Sequence, residues 1–216
     1  MNAETILKYG VRILIIFMIL PIHEFAHAYA AKKFGDSTAE NMGRLTLNPI
    51  SHIDIFGAIC LVLTGFGWAK PVPVNPNRFK NYKLGSVITA LAGPLSNVIV
   101  GYIGLVVLKI IMFSVASQLT TTWIYVNIIL SNFIIINLSL AVFNLLPIPP
   151  LDGSRILTTF IPLKYQWKIQ DYQMYISIAF IVIIFSGILD TPLYFLMNLL
   201  YDGIDFLTGW VDLIFA

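Results

Sequence analysis

The stretch Ile13–Lys33, "ILIIFMILPIHEFAHAYAAKK", decides the fold. Its first eight residues are greasy enough for the middle of a bilayer. His23, Glu24 and His27 then fall within five residues, and two lysines close the run. Apolar runs of about 20 residues mark candidate membrane spans. Ionisable groups inside such a run are costly and point to function. The pattern predicts a membrane helix that carries chemistry near one end. An alternative reads Lys8 and Arg12, the apolar core and "AHA" or "AYA" as a secretory signal with its cleavage site. The further apolar runs downstream, and a His-Glu pair beside the cleavage point, argue against it.

The rest of the chain has the same character. Of 216 residues 58% are hydrophobic and 11% charged, and the mean hydropathy is +0.84. A soluble domain carries about 25% charged residues, so this chain cannot cover a soluble surface. The expected fold is an all-α polytopic membrane protein with about four to six transmembrane helices, near 9–33, 84–114, 120–146, 172–189 and 191–214. Asp202, Asp205 and Asp212 interrupt the last of these, which suits an interfacial helix as well as a spanning one. Between the first two helices lies a polar, proline-bearing region, 35–83. Its apolar piece 53–65 is too short to span and reads as re-entrant or extended. A single domain, 1–216, accounts for the chain, with a catalytic core at about 9–160 and additional C-terminal helices at about 170–214.

A net charge of +2 gives a nucleic-acid partner no electrostatic support. Cys60 is alone and forms no intrachain disulfide. The environment these features imply is the lipid bilayer; oligomeric state leaves no mark. Lys32, Lys33, Arg44, Lys70, Arg78, Lys80 and Lys83 follow the first helix, and Arg155, Lys164 and Lys168 lie in the loop at 148–170. The loop near 115–121 has no Lys or Arg. Cytoplasmic loops are the ones rich in Lys and Arg. Both basic regions are therefore expected to face the cytoplasm, with the N-terminus outside; Lys8 and Arg12 oppose this weakly.

His23-Glu24-Phe25-Ala26-His27 is an HExxH pattern. Residues four apart share a helix face, so both imidazoles can reach one Zn²⁺, and Glu24 can reach a metal-activated water. Glu24 would take that water's proton and pass it to the leaving amine. The competing reading is a pair of buried histidines hydrogen-bonded to neighbouring helices. Pro21 predicts a local kink, because it clashes with the carbonyl of Phe17. With the helix ending near Lys32 and Lys33, His27 would lie about 8–10 Å below the cytoplasmic surface, at 1.5 Å per residue.

Two histidines do not complete a tetrahedral site. In "FNLLPIPPLDGSRIL", 143–157, the prolines stop a helix and Asp152 opens a short one. Alone, Asp152 reads as a helix N-cap; beside an HExxH that lacks a carboxylate ligand, it reads as the third ligand.

The chain resembles the site-2 protease family of intramembrane zinc metalloproteases. The resemblance rests on "HEFAHA", on "NLLPIPPLDG" and on the spacing of helices between them, with "GRLTLNPISHIDIFG" at 43–57 and "GPLSN" at 93–97 in support. It covers about 20–160. It implies a zinc endopeptidase that cuts transmembrane protein substrates in a prokaryotic cytoplasmic membrane, with its active site toward the cytoplasmic side. It assigns one Zn²⁺ per chain to His23, His27 and Asp152, the general base to Glu24, and oxyanion stabilisation to Asn144. For Asn144 the alternative is an interhelical hydrogen-bonding amide. His52 reads as structural, or as a residue near the active-site mouth.

Two further expectations concern substrate binding. Gly85, Thr89, Gly93, Asn97 and Gly101 recur every four residues, a small stripe that lets helices approach closely. Asn97 should then point to the active-site region. In "GWAKPVPVNP", 67–76, the prolines exclude a helix, and Val72 and Val74 alternate as in a strand. That stretch could offer an extended edge to an unwound substrate; an ordinary loop is the alternative. The rival functions are a membrane metal-ion transporter and a metal-binding scaffold. No paired halves are apparent, and neither role needs a glutamate beside a ligand.

Overall fold

The computed structural model describes residues 3–57, 59, 68–115 and 121–215. Helix α1, Ala3–Lys33, is 31 residues long and carries Pro21 within it. It ends in a turn where Gly35 takes a φ of +111°, open to glycine and strained for other residues. A short α2, Thr38–Asn41, follows. Two single-turn 3₁₀ segments come next, Pro49–His52 and Pro76–Arg78. Each begins with proline after an asparagine whose side-chain oxygen accepts a backbone N–H at 3.1 Å, Asn48 from Ile50 and Asn75 from Asn77. Proline has no N–H to lose at that position, and asparagine supplies the missing acceptor.

Helix α3, Tyr82–Val115, starts where the Asn81 side chain accepts from Leu84 N–H. Helix α4, Thr121–Asn144, ends just before the Pro147–Pro150 run. Short α5 is Asp152–Thr159. Helix α6, Leu163–Phe185, and helix α7, Asp190–Phe215, complete the chain. Among the described residues the only strand-like pairing is one antiparallel bridge, Ile53 with Ala69. The expected all-α class therefore stands. The apolar piece 53–65 lies largely outside the described residues.

Among the described residues two helices are long and apolar enough to cross a membrane, Tyr82–Ser114 and Thr122–Asn144. A third span is added if the pair Asp171–Phe185 and Asp190–Phe215, bent by 84°, counts as one. The bend sits at Gly187, whose φ is +74°. The chain read as two helices near 172–189 and 191–214 is thus one angled pair, and its first member begins earlier, at Leu163.

Helix α3 is the centre of the fold and packs against α1, α4, α5 and α7. Leu105 and Leu108 of α3, Ile134 and Leu138 of α4, and Ile204 of α7 form one buried cluster. Across the same seam, Lys109 Nζ meets Asp205 at 2.9 Å and Asp212 at 2.8 Å. Outward faces remain apolar: Phe206 is 84% exposed and Leu213 87%. Large apolar side chains facing out along apolar helices suit a lipid environment.

Candidate metal centre

The helical period brings His23 and His27 one above the other on α1. Their Nε2 atoms are 3.0 Å apart. Asp152 Oδ2 lies 3.1 Å from His27 Nε2 and 3.3 Å from His23 Nε2. All three side chains are buried. Donors bonded to one zinc at about 2.0–2.1 Å in tetrahedral geometry are about 3.3 Å from one another. The observed spacings match that value. Two imidazole nitrogens and one carboxylate oxygen are also a donor set that zinc takes in catalytic sites, with a fourth position left open. No other group of three or more such side chains is close enough to hold a metal among the described residues.

Asp152 reaches the histidines because the prolines after α4 turn the chain back. Leu151 is extended, and Asp152 opens α5. Gly153 allows the turn: a Cβ there would run into the carbonyls of Leu145 and Leu146 at the end of α4.

Helix α3 backs the histidines. A Cβ on Gly93 would collide with both imidazole rings, so only glycine lets α3 come this close. The carbonyl of Thr89, one turn earlier, accepts from His27 Nδ1 at 2.7 Å. That bond holds the His27 proton on Nδ1 and leaves Nε2 free for a metal. Asn97, one turn after Gly93, is fully buried, and its amide lies 3.2 Å from His23 Nδ1.

Glu24, next to His23, points to the polar loop. Its Oε2 accepts the backbone N–H of Val72 at 2.8 Å. Pro71 and Pro73 have no N–H, so Val72 is the only backbone donor in that tripeptide. The Val72 side chain is buried against Ala28 and Ala39, with Val74 packed on the same cluster. The loop is stitched down a second time at Asp36, which is 1% exposed. Asp36 Oδ2 accepts Asn75 N–H at 2.6 Å, and Oδ1 accepts both the N–H and the hydroxyl of Thr38. Burial pushes the Asp36 carboxyl up, but these hydrogen bonds outweigh it and hold its pKa below the ordinary value.

A cavity of about 1280 Å³ opens on this site, lined by His23, Glu24, Asp152 and Asn144. Asn144 Nδ2 donates to Leu140 O at 2.9 Å, which uses one of its two N–H groups. From the proline-rich loop the cavity takes Trp68, Ala69 and Pro71. Val72, expected with Val74 to present an edge to substrate, turns its N–H to Glu24 and its side chain to the core. Asn97 likewise faces His23, behind the site. His52 lines the cavity and is 1% exposed, with Nε2 donating to Thr46 O at 2.8 Å. Sequence reasoning did not single out Asp36 or the Thr89 carbonyl. Asp36 follows a helix end, a place where aspartate is ordinary, and backbone carbonyls carry no residue signature.

Apolar membrane-length helices around a buried His-His-carboxylate set define a class, that of membrane metalloenzymes. Residues 11–184 match the family described as Peptidase family M50. The chain is 40% identical over 192 residues to a Bacillus subtilis protein named "Putative zinc metalloprotease YwhC", covering 89% of this chain and 88% of that one. It is 32% identical over 166 residues to "Putative zinc metalloprotease Rip2" of Mycolicibacterium smegmatis, covering 72% of this chain and 61% of that relative. It is 27% identical over 157 residues to "Zinc metalloprotease MJ0392" of Methanocaldococcus jannaschii, covering 73% of this chain and 36% of that relative. No solved structure matches the chain. The chain belongs to peptidase family M50, the site-2 protease family; it is a membrane zinc metalloprotease with one zinc ion per chain.

Proposed function

We propose that this chain hydrolyses peptide bonds of transmembrane protein substrates, inside a prokaryotic cytoplasmic membrane and toward its cytoplasmic side. His23, His27 and Asp152 hold the zinc, Glu24 is the general base, and Asn144 steadies the developing oxyanion. Zinc in such a site lowers the pKa of a water to about 7 and polarises a carbonyl. The Val72 N–H orients Glu24 through Oε2, which leaves Oε1 to accept a proton and later return it to the leaving amine. The second Asn144 N–H is available to the oxyanion, where a single donor contributes about 10²–10³ in rate. The loop at 68–71 supplies the extended edge along which an unwound substrate lies.

The observation that carries this reading is the convergence of two Nε2 atoms and Oδ2 within 3.3 Å of one another, with Glu24 beside them at the wall of one large cavity. In this reading α1 is also a span, which brings the count to four with α6 and α7 as one bent span and to five if they cross separately. The test is cleavage of a membrane-embedded peptide by purified protein. Cleavage should disappear with a zinc chelator, return with added zinc, and be absent from Glu24→Gln. Cleavage that persists through chelation would sink the proposal.

A further inference from the structure

Two buried amide oxygens lie along the contact of α3 with α1 and α4. With its nitrogen facing His23 Nδ1, the Asn97 amide leaves Oδ1 buried without a hydrogen-bond partner among the described residues. Asn137 on α4 is also fully buried; its Nδ2 donates to Phe133 O at 2.8 Å, but its Oδ1 has no partner among the described residues. Gly101, one turn after Asn97 on α3, would place a Cβ 3.6 Å from Asn137 Cβ, so the two amides belong to neighbouring turns of one interface. Buried amide oxygens without donors are costly. The amide orientation is also chemically wrong for a ligand. A donor aimed at Nδ1 requires Nδ1 to be bare, which moves the ring proton to Nε2, the atom that faces Asp152 and His27. Amide oxygen and nitrogen are interchangeable by shape and are assigned by their partners.

We infer that the Asn97 amide is turned the other way, with Oδ1 accepting Nδ1–H of His23 and Nδ2 directed to Asn137 Oδ1. Both stranded oxygens then gain donors, and the His23 Nε2 lone pair is set toward the metal centre. Asn97 is a positioning residue that acts through His23, as the Thr89 carbonyl acts through His27. Asn137 in turn holds Asn97. The inference rests on His23 being a ligand. Ligand histidines generally donate their second N–H to an acceptor, and loss of that acceptor costs about 10–100-fold in metal affinity.

The experiment measures the zinc Kd of the detergent-purified chain by competition with a chromogenic chelator, so hydrolysis does not enter. Asn97→Leu keeps the volume and removes the acceptor; its Kd should rise about 10–100-fold. Asn97→Asp keeps an acceptor on Nδ1–H and should bind within about threefold of wild type or tighter. Asn137→Leu should weaken binding by less than Asn97→Leu. Equal weakening in Asn97→Leu and Asn97→Asp would mean a merely structural role and overturn the inference, as would wild-type affinity in Asn97→Leu. Should the Leu variant fail to fold, Asn97→Asp decides alone, with a loss of tenfold or more counting against. His23→Ala separates the two levels. If it binds zinc normally, the ligand assignment fails and takes this inference with it. If it loses zinc while Asn97→Leu does not, only this inference fails.

Discussion

Glu24 lies beside two imidazoles that can hold a metal. Replacing it with glutamine removes the proposed base and keeps the shape. Glu24→Gln should retain one zinc per chain while hydrolysis falls by about 10²–10⁴. His23→Ala, His27→Ala and Asp152→Ala should lose metal as well as activity, which elemental analysis after gel filtration will read. Stoichiometric zinc in Asp152→Ala would remove that residue from the ligand set. Asp36 carries a different prediction. Its folded-state pKa is depressed, so its contribution to stability is present above the unfolded carboxylate value of about 4 and fades as pH falls below it. Asp36→Asn strands at least one buried N–H and should cost about 1–3 kcal/mol at pH 7. The gap to wild type in thermal unfolding should narrow below pH 4; a gap that stays constant to pH 3 would contradict the ionic role. His23, Glu24 and His27 were legible because helix geometry converts a spacing of four into a shared face. The bond from Val72 N–H to Glu24 was not, because it joins residues 48 positions apart through a backbone group that every residue but proline owns.

At the scale of the element, α3 is the support on which the metal site is built. Its four-residue stripe was legible, since small residues at that interval have few uses other than close approach. Gly93 is the point of closest approach, with His23 and His27 against its missing side chain. Gly93→Leu should push α3 off α1, lower the unfolding temperature and abolish activity. Overpacking of this kind costs typically 1–3 kcal/mol, occasionally more. Circular dichroism melts alongside peptide cleavage will check it, and full activity would contradict the close contact. The break between α4 and α5 was equally legible from its three prolines, and the carboxylate it delivers was read as the third ligand because the HExxH lacked one, with the family resemblance in support. The stretch 67–76 was read as an extended edge centred on Val72 and Val74; the structure ties the Val72 N–H to Glu24 and its side chain to Ala28 and Ala39. Alternation of Pro and Val says which residues share a face, not which face meets the cavity; that choice is made by Ala28, Ala39 and Glu24 from elsewhere in the chain.

For the whole molecule, composition alone decided the class, because 11% charged residues cannot clothe a soluble surface. The angle between α6 and α7 had no comparable signal; it depends on a positive φ at Gly187, and glycine in an apolar helix pattern reads equally as a packing residue. The proposed function requires one spatial relation: the hydrolytic site must meet a peptide bond that belongs to a membrane-spanning segment. The measurement that tests it most directly is mass-spectrometric mapping of the bond cut in a single-span substrate reconstituted with this chain in lipid vesicles. The account predicts a cut inside the apolar segment, toward its cytoplasmic end, absent with Glu24→Gln protein in the same vesicles. Cuts confined to the water-exposed flanks, or the same fragments from Glu24→Gln, would contradict it.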